Sequence, residues 1–407
     1  MFRPLSHIRV LDMSRILAGP WAAQTLADMG ADVIKIERPG LGDDTRSWGP
    51  PFMGNQHDSS KESAYFLSAN RGKKSVALDI SKPQGQKILK KLVMKTDILI
   101  ENYKVGGLSR YGLGYDDLKK INPRLIYCSI TGFGQSGPLS NRAGYDFLVQ
   151  AMGGLMSVTG EADGKAGAGP QKIGVALTDI LTGLYTGIAA LSALENREKT
   201  GEGYHIDMAL LDVTVACMAN QAMNFLVTGA SPIRMGNSHP NIVPYEAFAT
   251  ADHYVIVAVG NDSQFQRFVS VTNMVDLSED ERFKTNAARV QNREELIPLI
   301  QECLKKRPAE EWINAFEKVG VPCGPINNME QVFLNEQIQH RGIKIDMEHK
   351  NLGKIPQVAS PIKFEGNSLS YERAPPALGQ DTKEVLSEIA EISEKEIAEL
   401  FKSEIIS

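Results

Sequence analysis

Apolar runs alternate with amphipathic ones along the first half of the chain, and that alternation limits the fold more than any other feature. "IRVLDM" (8–13) reads as a buried strand, "GPWAAQTLADMG" as the helix after it and "ADVIKIE" (31–37) as a second strand. Strand, helix and strand within about thirty residues make a βαβ unit, which favours a parallel sheet. "KSVALDI" (74–80) continues the pattern as a strand, and "KPQGQKILKKLVMKT" follows as an amphipathic helix with Pro83 in its first turn. "DILIENY" (97–103) and "RLIYCSI" (124–130) predict further strands, with the short helix "YDDLKKIN" between them. The Gly-rich "TGFGQSGP" lies at the carboxyl end of the last strand, where open α/β sheets place ligands. The expected fold class is α/β, with a doubly wound sheet.

Past the polar break "ENREKTGEG", the stretch "YHIDMALLDVTVACMANQAMNFLV" reads as a short strand running into a buried helix. This gives a first part over 1–200 and a linker and helix over 201–224. From 225 the texture changes: "GASPIRMGNSHPNIVPYEAF" is loop-rich, "HYVIVAVGN" is a strand, and helical patterns fill 263–272, 293–306 and 308–318. Residues 225–330 are therefore expected to form a second, smaller α+β domain, with 331–407 as a linker and C-terminal part. Near the end, "ERAPPALGQ" (372–380) precedes a helix opened by Asp381, with Glu384 in capping-box position.

Composition removes several function classes. The 407 residues are 42% hydrophobic and 23% charged, ordinary for a soluble globular protein. A net charge of −5 gives no reason to expect nucleic acid or an anionic membrane as partner. Cys128, Cys217, Cys303 and Cys323 form no Cys-x-x-Cys pair, and the seven histidines have no ligand spacing, so no metal site is expected. Such cysteines fit a reducing compartment. "MFRPLSHIRVLDMS" lacks the apolar core of a signal peptide, so the expected location is cytoplasmic.

Chemistry concentrates at Asp179. The segment Ile173 to Leu194 approaches membrane-spanning length but holds this acid, three Thr and three Gly, and reads as a buried helix of a soluble protein. A buried, unpaired carboxylate neutralises, finds a partner or has a job. Asp179 as a plain N-cap is the alternative, since Thr178-Asp179 could open the helix. "IKIERPGLGDDTRSWGPP" (34–51) sets Arg38 where a parallel sheet meets phosphate, and "ENYKVGGLSRYG" (101–112) sets Lys104 and Arg110 after another strand. Both are either solvated loops or the walls of an anion site. Tyr145 and Asp146 in "NRAGYDFLVQAMGG" either cap and pack or hold a ligand. "GFGQSG" (132–137) is no dinucleotide fingerprint, and neither a nucleophile elbow nor a Walker loop occurs.

Five motifs in order carry a resemblance: "LAGPWAAQTLADMGADVIKIERPGLGDDTRSWGPP", "ENYKVGGLSRYGLGYDDL", "SITGFGQSGPLSNRAGYD", "ALTDILTGLYTGIAALSALENREKTGEGYHIDMALLD" and "GVPCGPINN". They resemble the class III CoA-transferases, the family of formyl-CoA transferase and the carnitine CoA-transferases, with the α-methylacyl-CoA racemases as relatives. The likeness runs from residue 5 to the closing "RAPPALGQDTKEVL". It implies a Rossmann-like large domain built from both chain ends, a small domain between them, and two subunits threaded as interlocked rings. It also implies that Asp179, in "ALTD", is the nucleophile, forming an acyl anhydride and then an aspartyl-CoA thioester. The implied CoA-binding positions are Arg38; Leu78, Asp79, Ile80 and Ser81; Asn102, Tyr103 and Lys104; Arg110; Arg142; and Tyr145 with Asp146. CoA enters as substrate, and no permanently bound cofactor is implied.

Departures narrow the reaction. Tyr145 stands where the racemases carry a His, and a phenol with a reference pKa of about 10 is a poor base at neutral pH, so transfer is favoured over racemisation. "RMGNSHPNIVPYEAF" (234–248) replaces the glycine run of formyl-CoA transferase, and Leu17 stands where that enzyme has Gln, so the formyl-CoA/oxalate reaction is the lesser alternative. "IVPY-x-AF" and "GPINNM" resemble the succinyl-CoA:glutarate branch, which implies succinyl-CoA as donor and a dicarboxylate acceptor. Leu17 and Ala18 are expected beside the substrate. Arg15, Arg46, Arg234, Ser238 and His239 are candidates for the acceptor's far carboxylate.

Overall fold

The computed structural model describes residues 2–54 and 61–407. A six-stranded parallel sheet is made of β1 (Arg9–Asp12), β2 (Asp32–Glu37), β3 (Lys73–Ala77), β4 (Ile98–Glu101), β5 (Ile126–Thr131) and β6 (His205–Ala209). Their spatial order is β3-β2-β1-β4-β5-β6, with every neighbouring pair parallel. The order reverses between β1 and β4, the switch point at which such a sheet opens a crevice beyond its carboxyl ends.

Strand periodicity divides the apolar side chains between two cores. Val10, Val33 and Ile98 face one core, and their successors Leu11, Ile34 and Leu99 face the other. The first core is closed by α1 (Ala18–Asp28), through Ala22 and Leu26, and by Ala190 and Leu194 further along the chain. The second is closed by α2 (Pro83–Val93), through Ile88, Leu89 and Leu92, and by Val385, Leu386 and Ile397.

The helix expected around Asp179 is α4 (Leu177–Thr200), preceded by the short α3 (Asp146–Met152). By length and composition α4 could cross a membrane. Instead, Thr182, Gly183, Thr186 and Ala190 are buried, and its Arg197 pairs with Asp97 at 3.0 Å. The opposite stripe, Leu184, Tyr185 and Ile188, is exposed in the single chain, so the expectation of a helix buried all round is corrected.

Two further expectations change. The helix after β6 is broken after Cys217, where Ala219 adopts a φ of 44° that a regular helix does not allow. Asp381 opens the helix Thr382–Glu388 without capping it, because its carboxylate accepts the Ser75 N–H at 2.9 Å and meets Arg373 at 3.0 Å. It ties this helix to β3 instead of forming a capping box.

The chain divides into two compact units. The sheet belongs to the first, formed by Met1–Leu155, Ile173–Ala222 and Gln337–Ser407; the second takes Met156–Lys172 and Met223–Glu336. In the second, three antiparallel strands, Tyr245–Ala249, Tyr254–Ala258 and Cys323–Pro325, share a core with the helices Asp262–Val271, Arg293–Leu304 and Ala309–Lys318. Phe268, Phe316 and Trp312 stack through it at centroid distances of 5.1 and 5.6 Å.

Gly183 sets how closely α4 approaches α1. A Cβ there would lie 2.6 Å from the Ala18 carbonyl oxygen and 3.1 Å from the Trp21 Cβ. Alanine would gain about 1 kcal/mol in helix propensity, but pushing two packed backbones apart costs about 1–3 kcal/mol. Gly183→Ala is expected to lower the melting temperature by up to about 2 °C in a calorimetric scan; a higher value would refute this contact.

Candidate active site

At the switch point, beyond the ends of β1, β4 and β5, lies a cavity of about 550 Å³. β1 leads into Arg15, Ile16, Leu17 and Ala18; β4 supplies Asn102, Tyr103, Lys104 and Arg110; β5 leads into Gly132. Arg142 and Tyr145 line it from the loop before α3, and Asp179 from the first turn of α4. Gly132 and Gly144 let two of these loops touch: a Cβ on either would sit within 2.6 Å of the other's Cα. A smaller cavity of about 290 Å³ includes Arg3, Asp28, Arg71 and Arg373 in its lining. Those arginines already meet Glu372, Asp28 and Asp381, so it offers no uncommitted guanidinium among the described residues.

Asp179 is the third residue of α4 and not its cap; Ala176 precedes the helix without a side-chain bond. The cap comes from Asp146, whose Oδ1 accepts the N–H of Thr178 at 2.9 Å and that of Asp179 at 3.4 Å. Its Oδ2 accepts from Gln150 at 2.7 Å. This corrects the N-cap reading of Asp179 and leaves its own carboxylate free of the helix start. Burial, and then the charge of Asp146, push the Asp179 carboxyl up to about 7, with no cation or hydrogen bond among the described residues pulling the other way. The result is a largely desolvated carboxylate without a counter-charge that faces a cavity, a suitable nucleophile once ionised.

The turn leading into α1 is held by side chains. Asp12 accepts the Ser14 N–H at 3.0 Å, and Lys35 Nζ donates to the Ser14 carbonyl at 2.8 Å. Asn102 accepts the Arg15 N–H at 2.9 Å and donates to its carbonyl at 2.7 Å. Asp43 accepts the Ile16 N–H at 3.2 Å. Ile16 sits at φ 74°, a left-handed conformation that a β-branched residue rarely adopts. Leu17 and Ala18, both buried, follow at the start of α1, and Leu17 caps it without a side-chain bond.

Of the residues named from sequence, Leu17, Ala18, Asn102, Tyr103, Lys104, Arg110, Arg142, Tyr145 and Asp179 meet at this cavity. Arg38 and 78–81 do not line it; they follow β2 and β3, the neighbouring strands on the same carboxyl edge. Arg38 is exposed, and its carbonyl accepts the Gly42 N–H at 2.9 Å. Leu78 is buried and bridges to Ile406, Ile80 is half-buried against the core, and Asp79 accepts the Ser81 N–H and hydroxyl at 2.9 and 2.6 Å.

The candidates for a far carboxylate separate clearly. Arg46 is committed: its guanidinium meets both oxygens of Glu37 and Oε1 of Glu62, and lies 3.6 Å over the Phe66 ring. Arg15 lines the cavity and pairs with Asp44 at 2.7 Å. Arg234, in the second unit, pairs with Asp163 and donates to the Glu161 carbonyl at 3.3 Å. In that unit too, Ser238 bonds Glu246, and His239 Nδ1 accepts the Asn241 N–H at 3.1 Å, which leaves its ring proton on Nε2.

Sequence reasoning missed two aromatic residues. Trp48 lines the cavity and packs edge-on against Tyr65 at 5.2 Å. Burial, and then the charges of Asp179, Asp146 and Asp43, push the Tyr65 phenol up to about 12, so its proton stays on. The only signal was the position of "RSWGPP" after a strand-end loop. No cluster of three or more metal-ligating side chains occurs among the described residues.

The family described as CoA-transferase family III matches residues 5–382. A succinate–glutarate CoA-transferase of Agrobacterium fabrum is 49% identical over 389 residues, 96% of each chain. The succinyl-CoA:glutarate CoA-transferase of Homo sapiens is 44% identical over 404 residues, 99% of this chain and 90% of that one. The crystal structure of a CAIB/BAIF family protein from Brucella suis superposes with a TM-score of 0.83 at 48% identity, over 96% of this chain and 100% of that one. A parallel sheet with its crevice at the switch point and these full-length relatives lead to one conclusion: the chain belongs to CoA-transferase family III, the class III CoA-transferases.

Proposed function

We propose that this enzyme moves CoA from succinyl-CoA to a free dicarboxylate such as glutarate, with Asp179 as the covalent nucleophile. The observation that carries the reading is the uncompensated Asp179 carboxylate facing the switch-point cavity. The substrate pair follows the names of the relatives from Agrobacterium and human. An Asp179 oxygen attacks the thioester carbonyl, the C–S bond breaks, and CoA leaves as thiolate, giving a mixed anhydride. The thiolate attacks the Asp179 carbonyl of that anhydride, releasing succinate and leaving an aspartyl-CoA thioester. The acceptor carboxylate attacks this thioester, expelling thiolate and forming the second anhydride. Thiolate attack on the acceptor's acyl carbonyl then yields the new acyl-CoA and frees Asp179.

In this scheme CoA lies along the carboxyl edge, held by Arg38, Leu78, Asp79, Ile80 and Ser81, and by Asn102, Tyr103, Lys104, Arg110, Arg142 and Tyr145. Asp146 serves by fixing the first turn of α4. Arg15, on the cavity wall, is the first choice to meet the acceptor's far carboxylate. The enzyme works in the cytoplasm as an interlocked homodimer, and the exposed apolar stripe of α4 fits burial against a second copy.

Four outcomes test this. Quenching with hydroxylamine after incubation with succinyl-CoA should leave a hydroxamate on the Asp179 peptide. Asp179→Ala should lose transfer to glutarate by at least about 10³-fold; near-normal transfer would end the proposal, whereas failure of every dicarboxylate would remove only the substrate. The nucleophile is ionised above its raised pKa, so kcat/KM for the acyl-CoA should be flat above pH 8 and fall about tenfold per unit well below pH 7. A profile without that limb would refute the assignment. Sedimentation should give twice the mass of one chain, and a monomer would remove the dimer.

A further inference from the structure

We infer that Lys35 is a positioning residue for this reaction: it holds the strained turn Ser14–Ile16, whose Arg15 and Ile16 line the same cavity as Asp179. The inference rests on the reading of that cavity as the site of transfer. It starts from five consecutive backbone groups, the N–H and carbonyl of Ser14 and of Arg15 and the N–H of Ile16. Each is bonded to a side chain, from Asp12, Lys35, Asn102 or Asp43. A turn left to itself bonds to its own backbone or to water. This one is clamped from outside, at the point where Ile16 is forced to φ 74°.

Lys35 links the clamp. It lies on β2 with its side chain fully buried, and its ammonium touches the Ser14 carbonyl at 2.8 Å and Asp43 at 2.9 Å. Asp43 in turn holds the Ile16 N–H. Burial works against the Lys35 charge, but Asp12, Asp43 and Glu37 together outweigh it and hold its pKa above the usual lysine range. Burial also opposes ionisation of Asp43, yet Lys35 and Thr45 bring it down to about 2. Both groups therefore stay charged across the working pH range. Buried ion pairs of this kind contribute little to stability over apolar residues of the same shape. Contacts spent on a strained turn beside a cavity instead fix geometry, because unfavourable backbone persists only where its surroundings over-determine it. Gly19 completes the turn: a Cβ there would lie 2.2 Å from the Ser14 hydroxyl oxygen.

The test is a double-mutant cycle on kcat, with succinyl-CoA and glutarate as substrates. Lys35→Met keeps the length of the side chain and removes the ammonium. Misplacement of the wall should lower kcat about 10- to 100-fold, with KM for succinyl-CoA within about twofold. Ile16→Gly makes the left-handed turn free of strain. In that background Lys35→Met should cost less than about threefold in kcat. A merely structural lysine would lower the melting temperature in both backgrounds and leave kcat per folded molecule unchanged. The inference is overturned if kcat stays within twofold in Lys35→Met, or if the loss is the same with Ile and Gly at position 16. If Lys35→Met does not fold, the charge-balanced Lys35→Met/Asp43→Asn pair takes its place in both backgrounds under the same criteria. Asp179→Asn is measured alongside: activity there would overturn the site reading itself, whereas an inactive Asp179→Asn beside a fully active Lys35→Met would overturn only the role of Lys35.

Discussion

A carboxylate that is to attack a thioester must be ionised in a place from which water is largely excluded, and those two requirements oppose each other. At Asp179, the nucleophile of the proposed reaction, the conflict is left unresolved. The first-turn amides of α4 could have stabilised its charge, but they are given to Asp146, and no cation among the described residues offsets it. Raising a carboxyl from 3.8 to about 7 disfavours its anion relative to the acid by about 4 kcal/mol more than water does. That is a large fraction of a typical folding stability, so the rest of the fold has to tolerate it. An anion destabilised in this way is also a poorly solvated and therefore reactive one.

The surrounding architecture looks built to keep that group in one place. Gly183, one turn beyond Asp179, lets α4 settle against the Ala18 carbonyl, so the start of α1 and the start of α4 are brought together by backbone contact. Beneath them, Asp12, Lys35, Asp43 and Lys73 form a fully buried set of alternating charges. Lys73 gives up part of its basicity, brought down to about 8 by burial and the nearby Lys35 despite Asp12. Charge is thus neutralised in the buried set and left uncompensated at Asp179, which faces the cavity.

Much of this could be read from the residues. The βαβ rhythm gave the parallel sheet, because periods of two and of about 3.6 are written locally. The loops around Lys104 and Arg110 were found because parallel sheets expose strand ends on one edge. What stayed hidden depends on contacts between distant segments. Nothing around Asp146 signals that it caps a helix opened thirty residues later, and Arg46 reads as a free cation until Glu37, Glu62 and Phe66 are seen to enclose it. The exposed stripe of α4 was misread for a related reason: Leu184, Tyr185 and Ile188 are as apolar as the residues that pack inward. Hydrophobicity alone does not tell a core from a surface awaiting a partner.

The second core of the sheet carries a consequence for how the molecule comes to exist. Val385, Leu386 and Ile397 share that core with Leu11, Ile34 and Leu99, and Ile405 accepts the Asp79 amide. During vectorial synthesis these early strands leave the ribosome with that face covered in part by α2, and the remainder stays open until nearly three hundred further residues, the whole second unit among them, have been made. Contacts of such sequence separation form late. A nascent chain therefore exposes part of an apolar sheet face for most of its translation, the kind of transient surface from which aggregation starts.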